Sequence, residues 1–256
     1  MTWRLLLTQP ADGVKNMAID EALLERARRT GEGVVRVYSW TRPTISFGRN
    51  QRARGAYDPS RAAQAQLDVV RRVTGGRALV HHREITYSVT APVRDGEDLR
   101  ASYAKINALL VDALSRMGVP VAVAGRTDRL APPGAAPCFE LPAKGELIYD
   151  GRKLVGSAQV RNEGAWLQHG SVLIRNDQHL LREAAVGDSV PLAAAATLAE
   201  VLERDVTPEE FALALFGAVC DRWDVNASEI TIDGAVAERA QALEARYADA
   251  EWTWRV

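Results

Sequence analysis

The sequence predicts an α+β fold in which a mixed, mostly antiparallel sheet is flanked by helices. Strand-like and helix-like segments do not alternate strictly along the 256 residues, which disfavours a doubly wound nucleotide-binding fold. Residues 146–174 instead alternate apolar and polar positions between turn signals, as an antiparallel meander does. The chain is also long enough to bury a substantial core.

Each element before the meander is indicated by its apolar spacing and its turn residues. The segments with strand character are residues 3–8, 34–40, 43–50, 68–73 and 78–91. The segments with helical spacing are residues 13–30, 58–66 and 101–119. Asp58 can cap the short helix and Pro59 suits its first position, while Gly118 ends the clearest amphipathic helix. Paired glycines in "TGGR" separate the last two strands.

The meander and the chain beyond it contain their own boundary signals. Asp150-Gly151 is a strong two-residue hairpin signal, and Asn162-Glu163-Gly164 marks the next turn. From about residue 178 the chain becomes alanine-rich and helical. Thr207 and Glu210 indicate a capped helix start there.

Composition excludes several classes of protein. The chain has 47% hydrophobic and 25% charged residues, as an ordinary soluble globular protein has. No apolar run reaches the roughly 20 residues of a membrane span, and no secretory signal is evident, so a cytoplasmic protein is expected. A net charge of −1 argues against nucleic-acid binding driven by overall charge. The two cysteines and four histidines lack zinc spacing, so no metal is expected.

The remaining chemistry centres on one cysteine and one lysine. GxxxxGK[ST], GxGxxG, HExxH and GxSxG motifs are missing from the sequence. Cys138 follows a proline- and glycine-rich loop, whereas Cys220 closes the apolar stretch of a helix and is interpreted as a core residue. A cation such as Lys153 would lower the pKa of the Cys138 thiol if the fold brings the two together. Sequence spacing leaves that proximity open.

Arginines crowd the segment around the paired glycines. They are Arg49, Arg52, Arg54, Arg71, Arg72, Arg77 and Arg83. They indicate either a solvated surface or a face that meets an acidic partner or a phosphate.

Two long segments are similar to signatures of the lipoate and biotin protein ligase superfamily. "RRVTGGRALVHHREITYSV" resembles RRxTGGRAVLHxxELTYS, and "GRKLVGSAQVRNEGAWLQHGSVLI" resembles G(R)KxxGSAQxRxxxxxLQHGS. With "NMAIDEALLE" and "PTISFGRNQ", the similarity extends over about residues 1–200. The segment "PCFELPAKGELIYDGRK", with its cysteine, resembles the corresponding segment of the LipM type of octanoyltransferase. The biotin-ligase loop GRGRxGRxW is not present, which disfavours biotin.

The resemblance implies a ligase-like catalytic domain over residues 1–200, with a helical extension over 201–256 packed on it. It implies ATP-independent transfer of octanoate from acyl carrier protein to the lysine of a lipoyl domain, such as the glycine cleavage H protein or 2-oxoacid dehydrogenase E2. Cys138 would carry the acyl thioester and Lys153 would lower its pKa. The donor's octanoyl-phosphopantetheine would be needed, but no cofactor. The implied substrate-binding residues are Arg72, Gly75, Gly76, Arg77, His81, Gly156, Ser157, Gln159, His169 and Gly170.

Three alternatives stay open at this point. An ATP-dependent lipoate-protein ligase of the same fold is compatible with Lys153, although Cys138 favours the transferase. An amidotransferase between lipoyl domains would share the cysteine chemistry. A non-catalytic acyl-binding member would keep the fold without turnover.

Amides near Gly75-Gly76 or Gly156-Ser157 are candidates for stabilising an oxyanion.

Overall fold

A computed structural model describes residues 1–94, 96, 98–125, 139, 145–187 and 194–256 of the chain. Its strands are β1 (Trp3–Leu7), β2 (Gly33–Tyr38), β3 (Thr44–Phe47), β4 (Asp68–Arg71), β5 (Leu79–His81), β6 (Glu84–Pro92), β7 (Ala122–Val123), β8 (Leu147–Tyr149), β9 (Arg152–Asn162), β10 (Ala165–Leu173) and β11 (Ser228–Glu229). Its helices are α1 (Gly13–Thr30), α2 (Pro59–Gln64), α3 (Leu99–Arg116), α4 (Leu181–Ala184), α5 (Leu198–Leu202), α6 (Pro208–Arg222), α7 (Gly234–Ala248) and α8 (Ala250–Thr253). A 3-10 turn spans Gln178–Leu180.

The strands form two sheets. The main sheet has the order β11-β1-β2-β6-β10-β9-β8-β7, and a small sheet has the order β4-β3-β5. In the part of this order that runs β2-β6-β10-β9-β8-β7, every pair of neighbouring strands is antiparallel. β1 pairs in parallel with both of its neighbours, β11 and β2. The predicted α+β class with a mixed, mostly antiparallel sheet is confirmed.

Local signals set the ends of the longest elements. Asp12 accepts a hydrogen bond from the Lys15 amide at the start of α1, and Gly31 ends the helix at a φ of 72°. Asp150-Gly151 joins β8 to β9 with both residues at positive φ, as the hairpin signal predicted. None of the helices in the described part of the chain is long and apolar enough to cross a membrane.

Helices cover both faces of the main sheet. The larger core lies between the sheet and helices α3 and α6, and includes Val89, Leu110 and Phe211. A second core joins α1 and α7 to the opposite side through residues such as Leu23 and Leu243. Helices α6 and α7 of the C-terminal segment therefore complete cores that the N-terminal strands begin.

The predicted single strand over 78–91 is wrong in one respect that positions the site. The chain breaks at His82-Arg83, where Arg83 has a φ of 46°, so β5 joins the small sheet and β6 joins the main sheet. β3 lies between β4 and β5, so the "TGGR" turn does not close a hairpin. The two sheets consequently meet along this segment.

The C-terminal segment is not purely helical. β11 pairs in parallel with β1 through Arg4 opposite Ser228 and Leu5 opposite Glu229, and so extends the main sheet. The expected division at residue 200 stays a prediction. Cys138 and the loop before it lie outside the described residues.

Candidate active site

A pocket opens where the two sheets meet. It contains about 390 Å³ of empty space, including open solvent at its mouth. α1, both sheets and the β9–β10 hairpin contribute its walls. The lining residues are Met17, Tyr38, Arg72, Gly76, Leu79, His81, Thr86, Gly156, Ser157, Ala158, His169, Gly170 and Ser171.

The pocket brings together most of the residues that the signatures carried over. Those on its wall are Arg72, Gly76, His81, Gly156, Ser157, His169 and Gly170. Gly75 and Arg77 lie one step behind the wall, where their carbonyl oxygens accept hydrogen bonds from Arg72. Gln159 is directed elsewhere, because its side-chain amide donates to Ser102 of α3. The substrate-binding role of Gln159 stays a prediction.

Glycines permit close backbone approach at two places on the wall. A Cβ atom on Gly48 would lie 2.0 Å from the Gly76 carbonyl oxygen. A Cβ atom on Gly170 would lie 2.6 Å from the Gly156 carbonyl oxygen and 2.7 Å from the Tyr87 ring. These positions therefore require glycine because neighbouring backbone occupies the space of a side chain.

Arg72 holds the turn at residues 74–77, here called the glycine loop, from inside the protein. Its buried guanidinium donates to the carbonyl oxygens of Gly75 and Arg77 at 2.9 and 2.8 Å, and to that of Ser46 at 2.8 Å. Arg71 is equally buried and binds the carbonyl oxygen of Gly48 at 2.6 Å. Arg71 and Arg72 therefore build the loop and cannot belong to a surface for a partner, as one interpretation of the arginine cluster would require.

His169 is held between a carboxylate and a hydroxyl. Its Nδ1 lies 3.0 Å from Asp20 Oδ2, and its Nε2 lies 2.7 Å from the hydroxyl of Thr74 in the glycine loop. The carboxylate fixes the orientation of the ring, and the ring fixes the loop. This contact ties α1, β10 and the glycine loop together at the pocket wall.

His81, also on the pocket wall, has the same kind of setting. Its Nδ1 lies 3.2 Å from Glu84 Oε1, its Nε2 lies 2.9 Å from the Ser46 hydroxyl, and its ring stacks on Trp40 at 3.9 Å. Burial lowers the pKa of His81, and the carboxylate of Glu84 opposes that shift only in part. A neutral, oriented imidazole is the consequence at neutral pH.

Asp20 organises the centre of the site, and sequence reasoning did not single it out. Its carboxylate accepts hydrogen bonds from Arg36, Tyr38, Ser88 and His169. Burial alone would raise the pKa of Asp20, but the bond from His169 and the charge of Arg36 outweigh it and hold the pKa below its usual value. Asp20 lies on the apolar stripe of α1, where a carboxylate requires a partner, so its position was a usable signal.

Lys153 lies at the edge of the pocket in a buried ion pair. Its Nζ is 2.6 Å from Glu146 Oε1, and both side chains are largely shielded from solvent. The ammonium also lies 4.9 Å from the centre of the Phe139 ring. A Cβ atom on Gly156 would lie 3.3 Å from Nζ, so the lysine reaches the pocket wall. The structure thus joins Lys153 to the site and adds Glu146, which no motif indicated.

The hydroxyl of Ser157 is also fixed. It lies 2.7 Å from the hydroxyl of Tyr87, which accepts a hydrogen bond from the amide of Gln168 at 2.9 Å. Burial raises the pKa of Tyr87, so this phenol stays protonated. Away from the pocket, Cys220 is partly buried and packs against the larger core.

The fold and the site together define a catalytic domain of the lipoyl protein ligase type, in which buried side chains hold the glycine loop and a buried lysine lies at the pocket edge. The model of the lipoyl protein ligase A/B catalytic domain family matches residues 12–219, and the chain belongs to that family. The family resemblance noted in the sequence is confirmed.

Curated relatives indicate the type of enzyme within this family. Proteins named octanoyltransferase LipM from Kyrpidia tusciae and Carboxydothermus hydrogenoformans are 37% and 34% identical to this chain, and each alignment covers 99% of both sequences. These relatives confirm that the chain is an acyltransferase of the LipM type.

Solved structures agree on the fold. The chain is similar to an ATP-bound lipoate-protein ligase A, with a TM-score of 0.81, 22% identity and 99% of each chain covered. It is also similar to the bipartite lipoate protein ligase of Thermoplasma acidophilum, described with its E2 lipoyl domain, with a TM-score of 0.78 and 22% identity over 99% of this chain and 96% of that one.

Proposed function

We propose that the protein transfers an octanoyl group from acyl carrier protein to the lysine of a lipoyl domain through a thioester on Cys138. The observation that carries the proposal is the setting of Lys153, a buried ammonium at the pocket edge. Phe139, which directly follows Cys138 in the sequence, lies against that ammonium. A cation beside a thiol favours the thiolate, which is the nucleophilic form.

The reaction would proceed in two exchanges. In the first, the Cys138 thiolate attacks the carbonyl carbon of the octanoyl thioester, and the carrier's phosphopantetheine leaves as its thiolate. In the second, the neutral ε-amine of the acceptor lysine attacks the acyl-enzyme. A C–N bond forms, the C–S bond breaks, and Cys138 regains a proton from the amine. Neither exchange requires ATP, and ping-pong kinetics follow.

The pocket between the sheets would take the octanoyl chain. Met17, Tyr38 and Leu79 supply apolar surface on its walls. Gly76, Gly156 and Gly170 keep the wall free of side chains on the other side. An alkyl chain gains by leaving water for such a cleft, at about 0.8 kcal/mol per buried methylene.

The amides at Gly156 and Ser157 are suited to stabilise the oxyanion of each exchange. Successive residues of an antiparallel strand direct their amides to opposite sides. The pairing of β8 with β9 ends at Val155, while β10 continues past both residues. Within the described chain, one of the two amides is therefore directed to a side without a paired strand, where it could donate to an oxyanion.

Two arginines near the glycine loop are suited to acidic protein partners. Arg49 and Arg52 are exposed, and neither pairs with a carboxylate in the part of the chain that the structure describes. The Arg49 amide bonds the Thr74 carbonyl oxygen at 2.7 Å, so this arginine adjoins the loop. Exposed positive charge beside the pocket would attract the acidic surfaces of acyl carrier protein and of lipoyl domains such as the H protein or E2.

Intact mass measurement tests the proposal. We expect incubation with octanoyl-acyl carrier protein, without ATP, to add one octanoyl group to the parent and to a Cys220→Ala control. Cys138→Ala should remain unmodified. No adduct on the parent, with lipoyl-domain modification only when ATP and free octanoate are supplied, would instead mean a ligase. No product under either condition would favour an acyl-binding protein without turnover.

A further inference from the structure

Lys153 forms an ion pair with Glu146, a residue to which the proposed transfer assigns no role. The two residues belong to one hairpin, since Glu146 immediately precedes β8 and Lys153 lies on β9. The Nζ to Oε1 distance is 2.6 Å. Lys153 is 2% exposed and Glu146 is 8% exposed. Both charges are therefore removed from solvent at the edge of the pocket.

Burial decides what each partner does for the other. A buried ammonium without a counter-charge releases its proton readily, because the low-dielectric interior disfavours the charged form. A carboxylate at hydrogen-bond distance reverses that preference and holds the ammonium charged. The ammonium has three N–H donors, so it can serve Glu146 and a thiolate at the same time.

The backbone around Glu146 is anchored independently of Lys153. The carbonyl oxygen of Glu146 accepts a hydrogen bond from the Ala124 amide at 2.7 Å, and that of Gly145 accepts one from the side chain of Asn107 on α3. Burial raises the pKa of Tyr87 on β6 and of Tyr103 on α3, and among the described residues the charge of Glu146 adds to both shifts. Burial, followed by the charge of Glu146, raises the pKa of Tyr103, so that phenol stays neutral. The backbone at Glu146 is thus held by hydrogen bonds that do not involve the Lys153 side chain.

We infer that Glu146 is a positioning residue for acyl transfer, which holds the Lys153 ammonium charged and directed toward the Gly156 edge of the pocket. This inference rests on the proposed function. Glu146 does not contact the acyl group in this scheme. It acts only through Lys153, and its loss should therefore matter only when Lys153 is present.

A double-mutant cycle on the acylation step tests this dependence. Single-turnover formation of the octanoyl-enzyme is followed in the parent, Glu146→Gln, Lys153→Met and the double variant. We expect Glu146→Gln to slow acylation by about tenfold or more, with little change in the KM for octanoyl-acyl carrier protein. In the Lys153→Met background the same change should alter the rate by less than about twofold.

The pH profile separates positioning from a general structural role. Without its carboxylate, the ammonium should lose its proton at lower pH, so the falling alkaline limb of the acylation rate should move down by about one pH unit or more. Glu146→Asp keeps the charge and should return the limb toward the parental position. Glu200→Gln is the matched control, because Glu200 pairs with the neighbouring Arg152 at an exposed site. That control should behave as the parent does.

The outcomes distinguish the two hypotheses. A parent that forms no octanoyl adduct overturns the proposed function. A parent that acylates, beside a folded Glu146→Gln variant with parental rate and pH profile, overturns only the role of Glu146. An equal loss from Glu146→Gln with and without Lys153 also overturns it, and folding of each variant is checked by circular dichroism.

Discussion

At the scale of single residues, the site is built from buried polar side chains that form specific hydrogen bonds with one another. Each pocket histidine contacts a carboxylate through Nδ1 and a hydroxyl through Nε2. Such pairs satisfy groups that would otherwise cost about 1–3 kcal/mol each when buried without a partner. The histidines therefore stabilise the pocket wall whether or not they also contact substrate.

The buried state of His81 predicts a specific pH dependence of stability. Burial lowers the pKa of His81 below the ordinary value of 6.5. Over a range of pH just below that value, the His81 side chain therefore stays neutral in the folded state but binds a proton in the unfolded state. As pH falls through that value, the unfolded state gains a proton that the folded state does not, and the free energy of unfolding decreases. We expect His81→Gln to lose this part of the pH dependence, measured by urea unfolding between about pH 7.5 and 5.5.

His179 provides the control for that measurement. It is exposed, so His179→Gln is the matched substitution against which the slope of unfolding free energy with pH in His81→Gln is compared. If His81→Gln showed the same slope as His179→Gln, His81 would not be the group that titrates differently in the folded and unfolded states.

At the scale of elements, local signals were sufficient for most helices and turns and insufficient for strand partners. The Asp150-Gly151 hairpin and the Thr207 cap depend on neighbouring residues, so the sequence specified them. The break at His82-Arg83 has no glycine or proline to mark it. It arises because β5 and β6 pair with different sheets, which is a long-range property.

The same limit applies to the site. The two signatures indicated the glycine loop, both histidines and Lys153 as residues. Asp20 and Glu146 were not indicated, because their importance depends on partners from other elements or strands. Charge on an apolar stripe signals that a partner exists, but it does not identify which one.

Gly48 packs closely against Gly76 of the glycine loop, so one methyl group added at Gly48 is predicted to affect both stability and activity. Gly48→Ala would place a Cβ atom 2.0 Å from the Gly76 carbonyl oxygen, so one of the two loops must move. We expect a loss of about 1–3 kcal/mol of stability, as overpacking typically costs, together with reduced acylation. Urea unfolding and the mass assay measure the two effects.

Gly234→Ala is the matched substitution. No neighbouring atom lies within 4 Å of the Cβ position at Gly234, which begins α7. The change should leave stability equal or slightly raised. Equal stability and acylation in the Gly48→Ala variant would mean that the two loops have more freedom than their packing indicates.

At the scale of the whole molecule, the C-terminal segment is part of the structure that supports the site. Trp252 Nε1 donates to the Arg71 carbonyl oxygen, and the Thr253 carbonyl oxygen accepts from the Arg71 guanidinium. Arg71 in turn binds the carbonyl oxygen of Gly48. A chain of contacts therefore runs from α8 to the pocket wall, and the end of the chain contributes to a site formed far earlier in the sequence.

This arrangement predicts that residues 1–200 alone do not fold stably. The truncation removes large side chains from both cores, among them Phe211, Leu215, Val219, Val236, Leu243 and Tyr247. Each buried apolar side chain of this size contributes about 1.5–3 kcal/mol, so the six together match or exceed a typical total stability of about 5–15 kcal/mol. We expect the fragment to show no cooperative thermal transition.

Adding residues 201–256 as a separate peptide tests whether the missing contacts are the cause. Because α6, α7 and β11 complete the cores and the main sheet, the peptide should restore a cooperative transition and some acylation if it binds the fragment. A fragment of residues 1–200 that unfolds cooperatively near the parental midpoint would contradict this prediction. It would show that the extension is a separable unit, and that the contacts from α8 to the pocket wall are dispensable for the fold.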